Sequence, residues 1–232
     1  MLTVSGLNVG FGRHTVLHDV DLDLAEGRTL GLVGESGSGK STLAKAVVGM
    51  VKPRSGSITV AAEARRVQLV PQDPYGSLNP RMTVGQTLAE AIDPRRGRPA
   101  EHRDRIAELL ETVALDPQAA DRYPHQFSGG QRQRVAIARA LAVRPALLIA
   151  DEITSALDCS VQAEVLNVLR SLRVRFGLTM LFISHDLAVV RHVSDEIAVM
   201  RAGEIVERAP RDQLFRSPAH AYTQRLLASA LY

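Results

Sequence analysis

The residues that best indicate chemistry form a glycine-rich segment at positions 34–42, GESGSGKST. It fits the phosphate-loop pattern G-x-x-x-x-G-K-[ST], in which glycines let backbone N–H groups point inward at phosphate oxygens. The helix that follows adds the positive end of its dipole. In this pattern Lys40 contacts the outer phosphates and the Ser41 hydroxyl holds Mg²⁺. The segment predicts a site for a nucleoside triphosphate, the alternative being a Gly/Ser-rich turn with no ligand.

Two carboxylates, Asp151 and Glu152, follow the apolar run 146–150. A carboxylate at the end of a buried strand beside a phosphate loop can hold Mg²⁺, directly or through water. A second carboxylate next to it can polarise an attacking water as a general base. Because surface Asp-Glu pairs are common, a structural role for both is the alternative. Their place after a strand, downstream of the phosphate loop, favours the catalytic interpretation.

A second candidate anion site is the segment 127–131, FSGGQ. Ser128 offers a hydroxyl, Gly129 and Gly130 expose backbone N–H groups, and a helix follows. One domain has no obvious second phosphate for this helix N-terminus, so the segment is predicted to serve a nucleotide held by another subunit. The alternative is an ordinary serine N-cap followed by a glycine turn.

Strands and helices must position these residues, and their patterns alternate along the chain. The apolar run 29–33 precedes the phosphate loop as a buried strand, and apolar residues up to Val51 follow it at helical spacing. Residues 2–24 alternate apolar and polar side chains, which predicts half-buried strands broken by a turn at 12–14. Further strands are predicted at 55–60 and, as a buried one, at 65–70.

Helical periodicity dominates from 84 to 141 and buried-strand patterns return afterwards. The later strands are predicted at 146–150, 179–184 and 196–200, with a helix between the first two and a hairpin around 201–203. Helices that alternate with apolar strands are typical of a largely parallel α/β core. Residues 85–144 are predicted to be a helical insertion in that core.

The composition of the chain limits its size class, its partners and its compartment. The chain has 232 residues, of which 45% are hydrophobic, and can bury the core of one domain with a subdomain. A net charge of +3 does not argue for nucleic acid as a partner, although Arg65-Arg66 and 95–98 form local basic clusters. The lone Cys159 favours a reducing compartment. Without a signal peptide or a long apolar run, any work at a membrane is expected to require a partner.

The ordered motifs resemble the ATP-binding subunit of an ATP-binding cassette (ABC) transporter. They are GESGSGKST, VPQD (70–73), FSGGQ, LLIADE (147–152), SALD (155–158) and FISHD (182–186). The resemblance implies an α/β fold: a P-loop NTPase (RecA-like) core with an antiparallel β subdomain and a helical signature subdomain. The core with its β subdomain is expected at 1–84 and 145–232, and the helical subdomain at 85–144.

The resemblance also implies a role for each matching residue. Glu152 is expected to be the general base, His185 to contact the γ-phosphate, and Gln72 to touch Mg²⁺ and the attacking water. The catalytic set is Glu152, His185, Gln72 and Lys40, and the metal set is Ser41, Gln72 and Asp151. The residues expected to bind ATP are Phe11 (against adenine), Gly34, Glu35, Ser36, Gly37, Ser38, Gly39, Lys40, Ser41 and Thr42. Those expected to complete the opposing subunit's site are Ser128, Gly129, Gly130, Gln131 and, at the dimer seam, Asp158.

Three of these residues have a simpler interpretation. His185 and Phe11 are also compatible with core positions, and Gln72 with an ordinary loop. One residue departs from the family pattern, because Ile153 stands where proline usually follows the catalytic glutamate. Isoleucine also favours extended backbone, so the site is expected to survive while the rate of hydrolysis is in question.

Finer features resemble the branch that imports peptides or nickel. They are residues 73–84, residues 122–130 and the segment SPAHAYTQRLLAS at 217–229. The branch implies a second ATPase subunit, identical or paralogous, two permease subunits and, indirectly, an extracytoplasmic solute-binding protein. It also implies a peripheral place on the cytoplasmic face of the cell membrane, with residues 73–82 and 121–127 facing the permease.

Two other classes of function compete with transport. A soluble ABC ATPase of translation or DNA repair usually carries two cassettes or a long coiled-coil insertion. This chain has one set of motifs and no sustained heptads between Lys40 and Ser128. A P-loop kinase or GTPase switch would leave FSGGQ unexplained, and the chain has no N-K-x-D motif to read guanine.

Overall fold

The computed structural model describes residues 1–60 and 67–230, which form two β-sheets flanked by helices. The described strands are β1 (Leu2–Phe11), β2 (His14–Leu24), β3 (Thr29–Val33), β4 (Ser55–Val60), β5 (Val67–Val70), β6 (Leu147–Asp151), β7 (Thr179–Ser184), β8 (Glu196–Arg201) and β9 (Glu204–Pro210). The described α-helices are α1 (Lys40–Val47), α2 (Pro74–Ser77), α3 (Val84–Ile92), α4 (Arg103–Thr112), α5 (Gly129–Leu141), α6 (Cys159–Phe176), α7 (Leu187–Val193), α8 (Arg211–Arg216) and α9 (Ala221–Ala230).

The larger sheet has six strands in the order β5-β6-β7-β3-β8-β9. Every neighbouring pair is parallel except β8 and β9, which form the predicted antiparallel hairpin. Strands β3, β6 and β7 are buried along their whole length, as a parallel sheet covered on both faces requires. The predicted α/β fold with a largely parallel core is confirmed.

The strand predicted at 65–70 is shorter and less buried than expected. Residues 65–66, with their basic cluster, lie outside the described residues, and β5 covers Val67–Val70. Only Val70 of this strand is fully buried. The reason is topological: β5 is an edge strand with one hydrogen-bonded neighbour, β6, so its side chains are partly open to solvent.

Two hydrophobic cores lie on opposite faces of the larger sheet, because successive residues of a strand point to opposite sides. In β6, Leu148 and Ala150 belong to one core, and Leu147 and Ile149 to the other. The first core is closed by residues of α5, α6 and α7, and the second by α1 and the smaller sheet. Both cores therefore pack against the strands that carry the predicted site.

The smaller sheet is antiparallel, with the order β2-β1-β4. The turn predicted at 12–14 joins β1 to β2, where Phe11 pairs with His14. Its buried residues alternate with exposed ones, such as Leu22 and Leu24 around Asp23. The predicted half-buried strands and the antiparallel β subdomain are confirmed.

Residues between β5 and β6 are helical, as their periodicity predicts, but the helices are short. Helices α3, α4 and α5 are separated by 3₁₀ turns at Pro99–His102, Pro117–Asp121 and Pro124–Gln126. Each turn begins with proline, whose fixed φ and missing N–H suit a helix start and end the preceding element. Helix α1 is likewise shorter than its apolar stripe, because Gly49 has a left-handed φ of 78° soon after Val47.

Within residues 1–60 and 67–230, no helix is long and apolar enough to cross a membrane. The longest described helix, α6, has 18 residues but carries several charged side chains.

Candidate active site

The order of the parallel strands brings the predicted catalytic residues to one edge of the sheet. Strand β7 lies between β6 and β3, with Asp151 opposite Ile183 and Val33 opposite Ser184. Because parallel strands end at the same edge, the phosphate loop after β3, Glu152 after β6 and His185 after β7 meet there. Segments more than a hundred residues apart in the chain form a single site.

The phosphate loop is a tight turn that only glycine can complete. A Cβ on Gly34 would lie 2.1 Å from the backbone oxygen of Met200, which is less than any atom tolerates. Gly39 precedes α1 with a left-handed φ of 109°. The β8–β9 turn supports the loop from outside, because the Gly203 N–H donates to the Ser38 oxygen over 2.9 Å.

A second support comes from the last helix. The backbone N–H of Glu35 donates to the hydroxyl of Tyr222, on α9, over 3.2 Å. Tyr222 is buried, and burial raises the pKa of its phenol, which keeps the hydroxyl protonated. Sequence reasoning missed this contact, although Tyr222 lies in the segment 217–229 that carries the branch resemblance.

Lys40 is buried and reaches back over the loop. Its Nζ donates to the backbone oxygens of Gly34 and Glu35, over 2.7 and 2.9 Å. The nearest carboxylate oxygen, Oε1 of Glu152, is 3.7 Å away. Desolvation lowers the pKa of the ammonium, and Glu152 and Asp151 oppose that shift. A phosphate in the loop would add negative charge close to this buried cation.

Ser41 and Asp151 form the part of the site that suits Mg²⁺. The Ser41 hydroxyl donates to Oδ1 of Asp151 over 3.0 Å. Burial raises the pKa of the Asp151 carboxyl, so a cation beside it would stabilise the charged form. Hydroxyl, carboxylate and amide oxygens are the hard ligands that Mg²⁺ takes, usually few per site. No group of three or more His, Cys, Asp or Glu able to hold a metal occurs among the described residues.

Glu152 lies between the side chains of Lys40 and His185. Besides Lys40, its carboxylate contacts Nδ1 of His185, 3.4 Å from Oε2. The His185 side chain is 55% exposed, which excludes the interpretation as a core histidine. Glu152 itself has a left-handed φ of 48°, and its N–H donates to the Ile183 oxygen on β7. This hydrogen bond holds the bend that turns the carboxylate toward the phosphate loop.

Gln72 is joined to the glutamate through a residue that sequence reasoning missed. The Gln72 amide donates to the Ser155 hydroxyl over 3.2 Å, and that hydroxyl donates to the Glu152 backbone oxygen over 2.9 Å. Ser155 is the first residue of the SALD motif, and this motif is the sequence signal that could have identified it. Gln72 is therefore tied to the turn that carries Glu152.

Ile153 is the second residue of the turn from Glu152 to Ser155, where proline is a favoured residue. The Ser155 N–H donates to the Glu152 oxygen over 3.1 Å and closes this turn. The isoleucine side chain is buried in the core that α5 and α6 close. Packing thus anchors the turn that proline would otherwise restrict.

A cavity of about 340 Å³ lies over the phosphate loop. The predicted residues Ser36, Gly37, Gly39, Lys40, Ser41, Thr42, Gln72 and Glu152 line it, together with Val16. Phe11 is not among its described lining residues, and its ring is exposed at the end of β1, which excludes a core position.

The FSGGQ segment starts α5 with a reciprocal capping box. The Gln131 N–H donates to Oγ of Ser128, and the Ser128 N–H donates to Oε1 of Gln131. Gly130 also has a packing role, because a Cβ there would lie 2.0 Å from Cγ1 of Val161 on α6. Serine and glycine thus have structural roles at the start of α5. Ser128 is nevertheless exposed at the surface.

The FSGGQ segment opens onto a different cavity from the phosphate loop. This cavity, of about 510 Å³, is lined by Ser128, Gly129, Gly130, Asp158 and six further residues. Gln72 is the one described residue that lines both cavities. Asp158 caps α6, and hydrogen bonds from the Val161 N–H and the Ser160 hydroxyl lower the pKa of its carboxyl.

A search of protein-family models matches residues 17–155 to the family described as "ABC transporter". Among curated proteins, the chain is 46% identical to "Oligopeptide transport ATP-binding protein OppF" of Bacillus subtilis, over 94% of this chain and 77% of the relative. It is 45% identical to "Di/tripeptide transport ATP-binding protein DppF" of Pseudomonas aeruginosa, over 97% of this chain and 74% of the relative.

Solved structures show the same fold. CbiO1 from Clostridium perfringens, described as part of the ABC transporter complex cbiONQ, matches with a TM-score of 0.84 and 27% identity over 93% of this chain and 90% of that chain. The ATP-binding cassette MJ0796, in a dimeric post-hydrolysis state with ADP and Pi, matches with a TM-score of 0.77 and 29% identity. The match covers 91% of this chain and 99% of that chain.

Proposed function

This chain belongs to the ABC transporter family, and we propose that it is the ATP-hydrolysing subunit of a transporter that imports peptides. It is an ATPase by family. One observation carries the proposal: Lys40, Ser41, Asp151, Glu152 and His185 converge at one edge of the sheet, where the first, second and fourth of them line a cavity above the phosphate loop.

Peptides are preferred over nickel as the cargo because the relatives reported above are named for oligopeptides and for di- and tripeptides. The same names favour a subunit coupled to permeases over a soluble ATPase. In this proposal two permease subunits and an extracytoplasmic binding protein complete the transporter. The chain then works as a peripheral subunit on the cytoplasmic face of the membrane.

The residues of the site divide the work of hydrolysis. Lys40 exchanges its contacts with loop carbonyls for contacts with phosphate oxygens, and Glu152 accepts a proton from the attacking water. His185 and Gln72 approach the γ-phosphate and the water from the neighbouring strand and loop. Mg²⁺ held by Ser41, Asp151 and Gln72 would offset negative charge on the phosphates. Phe11 is proposed to stack on adenine from the end of β1.

The FSGGQ segment is proposed to act on a nucleotide held by another ATPase subunit, either a second copy or a paralogue. Two features support this: Ser128 lies at the surface, and it lines a cavity separate from that of the phosphate loop. Asp158, beside Ser128 in that cavity, is assigned to the seam between subunits. We assign residues 1–84 and 145–232 to the nucleotide-binding core and 85–144 to the helical subdomain that carries this surface.

The proposal is tested with Glu152→Gln, which keeps the size and polarity of the side chain but removes the base. Hydrolysis is expected to fall by about 10²-fold or more, because general-base catalysis contributes on that order. ATP affinity, measured by equilibrium binding of a fluorescent analogue, is expected to persist. Lys40→Ala is the matched control and is expected to lose affinity, since it removes the cation from the loop.

Hydrolysis near the wild-type rate in Glu152→Gln would show that another group is the base. Transport is tested separately, by reconstituting the subunits in vesicles with the binding protein and a short peptide. If peptide does not stimulate hydrolysis while a nickel chelate does, the peptide assignment is wrong and the ATPase assignment stands.

A further inference from the structure

Arg132, on the first turns of α5, joins two irregular segments that are distant in sequence. Its Nε donates to the Pro124 oxygen over 2.6 Å and its Nη2 to the His125 oxygen over 3.3 Å. The same guanidinium lies 4.0 Å above the centre of the Tyr75 ring, on α2. The residue is only 9% exposed, so these contacts replace most of its hydration. One side chain thus connects α2 to the 3₁₀ turn Pro124–Gln126.

Helix α2 depends on these contacts for its place. It has a single turn, from Pro74 to Ser77, and one isolated turn is not stable in water. The Asp73 carboxylate caps it from inside, and α5 holds it from outside through two arginines. Arg132 stacks on Tyr75, and Nη1 of Arg139 donates to the Ser77 backbone oxygen. The position of α2 therefore follows the position of α5.

The start of α5 is the FSGGQ segment, one helical turn before Arg132. The Arg132 N–H donates to the Ser128 oxygen over 2.9 Å, so the two residues are linked by the first hydrogen bond of the helix. A displacement of Ser128 moves the guanidinium with it, since helical hydrogen bonds transmit a rigid shift. The guanidinium in turn holds Tyr75 and the carbonyls of the 3₁₀ turn.

The two segments joined by Arg132 present aromatic side chains to solvent. Tyr75 is 64% exposed and Tyr123 is 41% exposed. The Tyr123 ring stacks on His125, with centroids 5.8 Å apart. These three rings, which we call the aromatic surface, lie on the segments that Arg132 holds. Exposed aromatic side chains on two coupled segments suit contact with another protein.

We propose that Arg132 is the positioning residue that couples the FSGGQ segment to the aromatic surface. The inference rests on the proposed function, in which a nucleotide of the opposing subunit binds FSGGQ and a permease binds the surface. Engagement of Ser128 shifts α5, and Arg132 moves Tyr75 and the 3₁₀ turn as one body. Arginine suits this role because its planar fork donates to two carbonyls while its face covers a ring. Lysine has a single point charge and cannot do both.

The first experiment measures coupling directly in the assembled pair of ATPase subunits, where Ser128 can meet a nucleotide of the opposing subunit. The sequence has no tryptophan, so Tyr75→Trp creates a single tryptophan, whose indole is expected to stack under the guanidinium and can be excited selectively. With Glu152→Gln to retain ATP, the emission of this tryptophan is expected to change when ATP and Mg²⁺ are added. The change is expected to disappear when Arg132→Met is added. Absence of an ATP response with Arg132 intact, or an equal response without it, would overturn the inference.

Arg134→Ala is the matched control. Arg134 lies on the same helix, donates to the Ala114 oxygen over 3.0 Å and pairs with Glu164 across 3.6 Å. These contacts connect α5 to the residue stretch that follows α4 and to α6. They do not involve α2. Its removal is expected to lower stability while leaving the ATP response of the tryptophan in place. Loss of the response in both variants would attribute it to a general loosening of α5 and would contradict a specific role for Arg132.

The second experiment uses the full transporter. In Arg132→Ala, basal hydrolysis and ATP affinity are expected to stay within about twofold of wild type, while the stimulation by permease and loaded binding protein falls about tenfold. Arg132→Lys is expected to resemble Arg132→Ala. Equal losses of basal and stimulated rates would contradict a coupling role. Absence of any ATPase activity in wild type would instead refute the proposed function, so the two failures are distinguishable.

Discussion

At the scale of single residues, a short chain of hydrogen bonds lies behind Glu152, the proposed general base. Ser155 accepts from Gln72 and donates to the backbone oxygen of Glu152. It therefore connects Gln72, which is expected to touch Mg²⁺ and the attacking water, with the turn that aims the Glu152 carboxylate. The Ile153 side chain, buried below, holds the same turn from the core.

Replacing Ser155 with alanine tests this connection. The Gln72 amide loses its acceptor and the Glu152 carbonyl loses a donor, so the carboxylate is aimed less accurately. A lost hydrogen bond of about 0.5–1.5 kcal/mol predicts a fall in kcat of about twofold to tenfold, with little change in KM for ATP. Ser155→Thr keeps the hydroxyl and is expected to restore the rate. A change in KM alone would place Ser155 in ATP binding and not in the positioning of Glu152.

At the scale of elements, helix α5 begins with the FSGGQ segment and contains a buried polar side chain that destabilises the fold. Gln133 is 0% exposed, and within the described part of the chain neither end of its amide has a hydrogen-bond partner. A buried amide without partners destabilises a fold, because it gives up water without replacing it. Helix α5 is thus held by its caps, its arginines and its apolar neighbours, against the cost of this amide.

Gln133→Met is therefore expected to stabilise the protein. Methionine has a similar shape and removes the unpaired polar atoms, which predicts a gain of about 1 kcal/mol and a rise in Tm of about 2–4 °C. Thermal unfolding followed by circular dichroism measures the change. Gln213→Met, at an exposed position of α8, is the control and is expected to leave Tm unchanged. A lower Tm for Gln133→Met would show that the amide is satisfied after all.

At the scale of the whole molecule, one chain carries two separate cavities, one over the phosphate loop and one at the FSGGQ segment. The phosphate-loop cavity and the FSGGQ cavity have a single described lining residue in common, Gln72. Ser128 is exposed and absent from the described lining of the first cavity. The proposed function predicts that a change at Ser128 lowers the rate of ATP hydrolysis without lowering the affinity for ATP.

Ser128→Arg provides that separation. The bulky side chain blocks approach of another subunit, so hydrolysis is expected to fall by about 10²-fold, as when donors to a transition state are removed. ATP affinity of the isolated chain, measured by equilibrium binding, is expected to match wild type. Lys40→Ala, which acts on the chain's own loop, is expected to lose affinity instead. A large loss of ATP affinity in Ser128→Arg would place Ser128 in its own chain's nucleotide site and contradict the arrangement between subunits.

The sequence by itself determined the local features of this protein. Glycine spacing and flanking periodicity identified the phosphate loop between β3 and α1, and period-two patterns identified β1 and β2. These features are readable because backbone preferences and the burial pattern of a single element are written in neighbouring residues. The signature helix α5 was readable for the same reason, since serine and glutamine at its start form a local capping box.

Only the tertiary structure decided which distant residues meet. Ser41 reaches Asp151 across 110 positions and Glu35 reaches Tyr222 across 187, because β3, β6, β7 and the last helix are assembled around one edge of the sheet. The exposure of β5 and the contacts of Ser155 and Arg132 depend on the same assembly. Periodicity records which face of an element is buried and not which element covers it, so strand order and side-chain pairing across the sheet emerge only in the folded chain.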